Sequence, residues 1–248
     1  MNALLGTTLP EGDPLATLLK DSPLESRLAA EFFLYDATPA SILGLDQSLV
    51  NAPRLDNLTS AYAALLAICN KTPSDAIGLS FFADNEEIGN RTPQGADSTF
   101  LRTILARINL ALGGSPEQLY MAMARSSFLS ADAAHALHPN FPDKHDKNYA
   151  PLLGGGVVIK SNVQGRYCTN GPTLAAITQL ARQHRISLQY FTNRADMPCG
   201  STVGPTTAAD LGIPGVDLGI PMLAMHSARE TANLDDIWQL YRLMEMFQ

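Results

Sequence analysis

Apolar stretches of strand length alternate along this chain with amphipathic stretches of helix length. That alternation predicts an α/β fold, layered as an αβα sandwich around a mostly parallel central sheet. Two further observations agree. Hydrophobic residues make up 46% of the chain and charged ones 17%, enough to bury a sizeable core. Acidic and imidazole side chains recur directly after the apolar stretches, where open α/β sheets bind ligands.

Taken in order, residues 1–27 form a Pro-containing lead-in with a weak helical stretch at 14–20. Residues 28–35 (LAAEFFLY) predict a strand, broken by DATP, and 40–44 a second short one. The Ala/Leu-rich run 58–69 predicts a helix with Asp56 or Asn57 near its cap. The run 76–83 (AIGLSFFA) predicts a buried strand ending at Asp84-Asn85-Glu86-Glu87-Ile88-Gly89. A helix is expected over 96–112, and a short strand at 128–131 that delivers Asp132. A polar loop follows at 139–148. Gly154-Gly155-Gly156 then turns into a strand at 157–160 that ends in Lys160. This glycine run is weak evidence for phosphate binding, because the pattern is not GxxxxGK[ST]. A helix at 173–184, a strand at 187–192, a short helix opened by 198–202, a strand at 215–220 and a terminal helix at 234–247 complete the pattern.

Composition excludes several functions. The net charge is -7 and there is no basic cluster, so nucleic acid is not an expected partner. No apolar run approaches the ~18 residues of a membrane helix, and none is expected. The first residues lack the basic start and apolar centre of a signal peptide. Cys69, Cys168 and Cys199 are far apart and form no CxxC, which argues against a zinc ribbon and suits a reducing cytoplasm.

The acidic turn after residue 83 carries three carboxylates in four residues, which repel unless a cation or a shared proton relieves them. A solvated acidic loop explains these residues equally well when they are taken alone. Asp132 and His226, each following another apolar run, favour a cation site. Asp56 alone reads best as a helix cap; with one of Glu86 and Glu87, Asp132 and His226 it makes an oxygen-rich set with one imidazole. Such a set suits Zn²⁺, Mn²⁺ or Co²⁺. Neighbouring side chains point different ways, so of Glu86 and Glu87 one can bind metal while the other handles a proton.

Seven motifs now stand in order: RLDN (54–57), DNEEIG (84–89), QGADS (94–98), SADAAHALHPN from Ser130, VIKSN from Val158, RADMPCGSTVGP from Arg194 and AMHSARE from Ala224. Together they resemble the M18 metallo-aminopeptidases of the aspartyl aminopeptidase type, from about residue 28 to the C-terminus. The resemblance implies a zinc-peptidase (phosphorylase/hydrolase-like) fold and a two-metal exopeptidase. It implies that Asp56 bridges two metals, that Glu86 is the general base, and that Glu87 and His226 bind one metal and Asp132 the other. His135, Lys160 and Tyr167 match residues around the substrate's first side chain. A cation at Lys160 would attract an acidic side chain, which agrees with release of N-terminal Asp or Glu. Without the resemblance, Lys160 and Tyr167 read as a strand-end charge and a half-buried aromatic. Homo-oligomeric assembly is also implied.

One departure stands out. The family's HTD-type motif, whose His completes the second metal site, has no counterpart here, and all five histidines lie at or after His135. The expected organisation is therefore the C-terminal part of such a chain: residues 1–27 a remnant of the family's inserted domain, and 28–248 part of the catalytic domain, with early strands missing. Two other readings follow: an inactive fragment that binds one metal, and a broad-specificity aminopeptidase for neutral substrates. Lys160 and His135 argue against the latter.

Overall fold

The computed structural model describes residues 19–20, 31, 33–72 and 74–248, and its contacts divide the chain into two units, Met1–Tyr35 and Asp36–Gln248. In the first unit, residues 19–20 form a turn, and Glu31 and residues 33–35 have no regular structure. The strand predicted at 28–35 is thus absent from its described residues. The rest of that strand, and most of the helical stretch at 14–20, lie outside the described residues.

The second unit opens with β1 (Ser41–Leu43) and β2 (Leu49–Ala52), an antiparallel hairpin. Its turn is held by Asp46, whose carboxylate accepts from the Ser48 N–H and hydroxyl. α1 (Leu55–Asn70) follows, but Asp56 and Asn57 have non-helical backbone, so regular helix starts beyond them, as predicted. α2 (Phe100–Ala111) matches expectation. α3 (Pro116–Ala124) was not anticipated, although its signal is present: Ser115 and Gln118 form a capping box with Pro116 inside the first turn. The order continues β3 (Phe128–Ala131), β4 (Ala134–His135), β5 (Val157–Lys160), α4 (Gly171–His184), β6 (Leu188–Phe191), α5 (Val203–Leu211), β7 (Gly215–Gly219), β8 (Pro221–Leu223), β9 (Glu230–Asn233) and α6 (Leu234–Phe247).

The strands form two sheets, β1-β2-β9-β8-β4 and β3-β7-β5-β6. Three pairings are parallel, β3 with β7, β5 with β6 and β4 with β8. Four are antiparallel, three of them in the first sheet, so the two sheets together are mixed, while the second sheet has two parallel pairings of three. The connections explain this. β5 reaches β6 through a whole helix, long enough for a parallel crossover, whereas β8 reaches β9 through six residues and can only return antiparallel. β5 and β7 are buried along their whole lengths, as strands covered on both faces must be. One apolar cluster joins them to α1, α4 and α6 through Ile159, Leu218, Ala63, Ile177 and Leu240.

The run at 76–83 is a clear departure from expectation. It is not a strand: no pairing is recorded for it among the described residues, and Ile77, Leu79 and Phe82 are exposed. The sequence has strand composition, but a strand forms only where another backbone accepts its hydrogen bonds. The segment is held instead by side chains, such as the Ser80 hydroxyl donating to the Ala64 carbonyl at 3.4 Å.

The glycine run has a structural use. Asp236, fully buried in the first turn of α6, accepts from the N–H groups of Gly154 and Gly156, both at 2.7 Å. A carboxylate thus fills the place an anion would take. Gly156 has φ +97°, and a Cβ there would lie 2.3 Å from the Ser187 carbonyl oxygen, so only glycine fits. This turn aims β5, and with it Lys160. Asp236→Ala would strand the buried Gly156 N–H, at about 1–3 kcal/mol, while the exposed Gly154 can turn its N–H to solvent. The expected loss is therefore about 1–3 kcal/mol, read as a lower urea midpoint with unchanged m-value.

Candidate metal centre

Four chain segments converge at the site. α1 begins where Asp56 and Asn57 depart from helical geometry. The Asn57 amide donates to the Ala131 carbonyl at 2.7 Å, tying this segment to the end of β3 beside Asp132. The acidic turn is a short 3-10 helix, Glu86–Ile88, between left-handed Asn85 and Gly89. Its closure comes from the Gly89 N–H on the Glu86 carbonyl, and the Thr92 hydroxyl donates to the Asn85 side chain at 2.7 Å. β8 ends in a loop whose Ala224 and His226 have φ +58° and +67°. Non-glycine residues pay for such backbone, and Arg54, Asn85, Ala224 and His226 all do so within two residues of a candidate ligand or are one.

This geometry brings Asp56, Glu87 and His226 together, with one possible ligand atom from each inside 4.8 Å of the others. His226 Nε2 lies 3.2 Å from Asp56 Oδ2 and 3.0 Å from Glu87 Oε1. The Asp56 side chain is only 5% exposed, while Glu87 and His226 are open to solvent. Burial and then the charges of Asp132, Glu87 and Glu230 push the Asp56 carboxyl up to about 7. Burial pulls His226 down, but Glu87 and Asp56 outweigh it and hold the imidazole above its ordinary value. So many acids around one imidazole describe a place where positive charge is wanted. Asp56 Oδ1 is buried without a hydrogen-bond partner, a spare oxygen of the kind a bridging carboxylate needs. The donor set therefore fits a divalent cation such as Zn²⁺.

The adjacent glutamates divide. Glu87 belongs to the cluster and Glu86 does not. Burial and the charges of Asp132 and Glu87 push Glu86 up to about 7, so its carboxyl holds a proton far more readily than a free glutamate.

Asp132 is not brought into the three-residue cluster. Its Oδ2 accepts from Lys160 Nζ at 2.9 Å, and Lys160 is 3% exposed. This buried cation is thus already paired, which its sequence position did not reveal. Lys160 Nζ also lies 5.6 Å from the centre of the Tyr167 ring, so the structure brings these two residues together. His135 stands nearby; the protein around it and the Lys160 charge hold its imidazole below the ordinary value. His145 is buried, and its Nε2 lies 3.1 Å from the His135 carbonyl oxygen.

Two residues given no role from sequence stand out. Glu230, 2% exposed, bonds the backbone N–H groups of Asp56 and His226. Asp217, fully buried, accepts from the Thr202 hydroxyl and the Cys168 N–H, joining the loops before α4 and α5. A carboxylate within a strand otherwise buried was the available signal.

Comparison with known proteins places these features in a context. The family model for aminopeptidase I zinc metalloprotease (M18) matches residues 15–248. A probable M18 family aminopeptidase 2 from Mycobacterium leprae is 41% identical over 210 residues, 85% of this chain and 49% of that protein. An aspartyl aminopeptidase from Caenorhabditis elegans is 40% identical over 223 residues, 88% of this chain and 47% of that protein. Among solved structures, the S. cerevisiae mApe1 dodecamer matches with a TM-score of 0.75 at 30% identity, covering 86% of this chain and 48% of that one. The chain spans about half the length of the curated relatives it matches.

Proposed function

Because the chain belongs to the aminopeptidase I zinc metalloprotease (M18) family, we propose that it carries the metal-binding part of an aminopeptidase that releases N-terminal residues, preferably Asp or Glu, from peptides. The observation that carries this reading is the cluster of Asp56, Glu87 and His226 beside a half-buried Glu86. Asp56, Glu87 and His226 would hold one Zn²⁺; Asp132 and the spare oxygen of Asp56 would face a second. Bound Zn²⁺ supplies a Lewis acid to the scissile carbonyl and lowers the pKa of water. Glu86 would take the proton from the attacking water and return it to the leaving amine. Lys160, with His135 and Tyr167, would receive the substrate's acidic side chain, Lys160 turning from Asp132 toward it.

For the fold, we take the complete domain to be a layered αβα sandwich of zinc-peptidase type, in which the unpaired run at 76–83 gains a strand partner. Residues 28–248 would belong to that catalytic domain and 1–27 to the inserted one. Assembly into a homo-oligomer follows the dodecameric neighbour. No helix among the described residues is long and apolar enough to cross a membrane. Three free cysteines support a cytoplasmic setting.

The test is release of free Asp from an Asp-terminated peptide by the zinc-loaded chain. Blocking the peptide's amine or removing the metal should abolish it. A second reading, one metal bound without turnover, is favoured by the pairing of Asp132 with Lys160, which leaves a complete ligand set for one ion only. Zinc uptake without release of Asp would select it.

Specificity has its own test. Lys160→Leu should lower kcat/KM on Asp-terminated peptides more than on Leu-terminated ones, by the ~1.5–3 kcal/mol of a charge-assisted bond, roughly 10–150-fold. The ratio between the two peptides cancels any general effect of freeing Asp132. Equal losses would remove Lys160 from the pocket.

A further inference from the structure

We propose that Glu230 is a positioning residue for the metal centre, a carboxylate that never binds the ion but fixes the spacing of two ligands that do. Its Oε2 accepts from the Asp56 N–H at 2.8 Å and its Oε1 from the His226 N–H at 2.7 Å. The two oxygens of one rigid group therefore hold residues 170 positions apart in the chain. The side chain is 2% exposed, and no salt bridge to it is seen among the described residues. Both oxygens are directed at backbone, so it cannot reach out as a ligand without releasing one of these segments.

The sheet explains how the clamp keeps its place. Glu230 is the first residue of β9 and pairs with Ala52, the last residue of β2, directly before the turn into α1. One register position thus anchors the clamp to the strand that delivers Asp56. Its other bond holds His226, whose left-handed backbone would otherwise relax toward commoner conformations. Arg229 braces the same loop from the other side, donating to the Asn51 side chain at 2.6 Å and the Asn51 carbonyl at 2.8 Å. A ligand held only by its own side-chain torsions pays ordering entropy when the ion binds; a clamped one has paid it on folding. The negative charge of Glu230 beside Asp56 also favours a cation there. This inference rests on the reading of Asp56, Glu87 and His226 as a metal site.

The experiment compares the whole chain with Glu230→Gln and Glu230→Asp. Zinc affinity is read by competition with a chromophoric chelator, and the d–d spectrum is read after loading Co²⁺. Glutamine keeps the volume but sets an amide N–H against one of the two backbone N–H groups. Its zinc affinity should fall ~10–100-fold, the usual effect of losing a residue that orients a ligand. The Co²⁺ bands should shift with it, which a merely structural defect in a folded protein would not produce. Aspartate keeps both acceptors on a shorter stem and should fall between. If the glutamine variant does not fold, the aspartate variant carries the comparison. Wild-type affinity and an unshifted Co²⁺ spectrum in a folded variant would overturn the role of Glu230 while leaving the metal centre standing. A wild-type chain that takes up neither ion would overturn the metal centre itself, and this inference with it.

Discussion

Glu86→Gln should lower release of N-terminal Asp by ~10²–10⁴-fold while leaving zinc affinity nearly unchanged, the pattern expected for loss of a general base. The two halves of this result come from different observations. Glu86 lies outside the group of atoms that can share an ion, so its replacement removes no ligand. Its carboxyl is also pushed up to about 7 by burial and by Asp132 and Glu87, which makes it able to take and return a proton. Glutamine keeps the shape and cannot carry the proton. The measurement is kcat and zinc content on the same preparation. Zinc lost together with activity would make Glu86 a ligand and force a new division of labour with Glu87.

His226→Ala should have the opposite signature, with metal and activity lost together. Apparent zinc binding energies of ~10–16 kcal/mol, shared among four ligands, give about 2.5–4 kcal/mol for each, or roughly 10²–10³-fold in affinity. The imidazole is the only nitrogen donor in the cluster, and no other histidine belongs to it. Alanine would leave Asp56 and Glu87 without the imidazole that now stands 3.2 and 3.0 Å from them. Chelator competition gives the affinity directly. A loss below tenfold would mean that the ion, if bound, is held elsewhere.

Much of the fold was legible because its signals are local. The terminal helix 234–247 and the strand 157–160 were placed to the residue, the one by its period and the other by a glycine turn and an apolar run. The sheet containing β2, β8 and β9 was not foreseen, since Leu49–Ala52 and Glu230–Asn233 are four residues each and alternate weakly. Their pairing is a long-range fact: Ala52 meets Glu230 across the chain. The run 76–83 failed in the other direction, its strand composition having no partner among the described residues. At the site, residue types in ordered motifs were enough to nominate Asp56, Glu87 and His226, which the fold brings together. The Lys160–Asp132 pair and the Glu230 clamp were invisible, because both depend on which strand ends face each other.

One ion held by Asp56, Glu87 and His226 is central to the function proposed for this chain. The zinc X-ray absorption spectrum of the chain loaded with one equivalent of Zn²⁺ tests it most directly. The expected first shell is oxygen and nitrogen at about 2.0–2.1 Å, with outer-shell imidazole scattering that disappears in His226→Ala. A sulfur shell at about 2.3 Å, or imidazole scattering unchanged by that substitution, would contradict it.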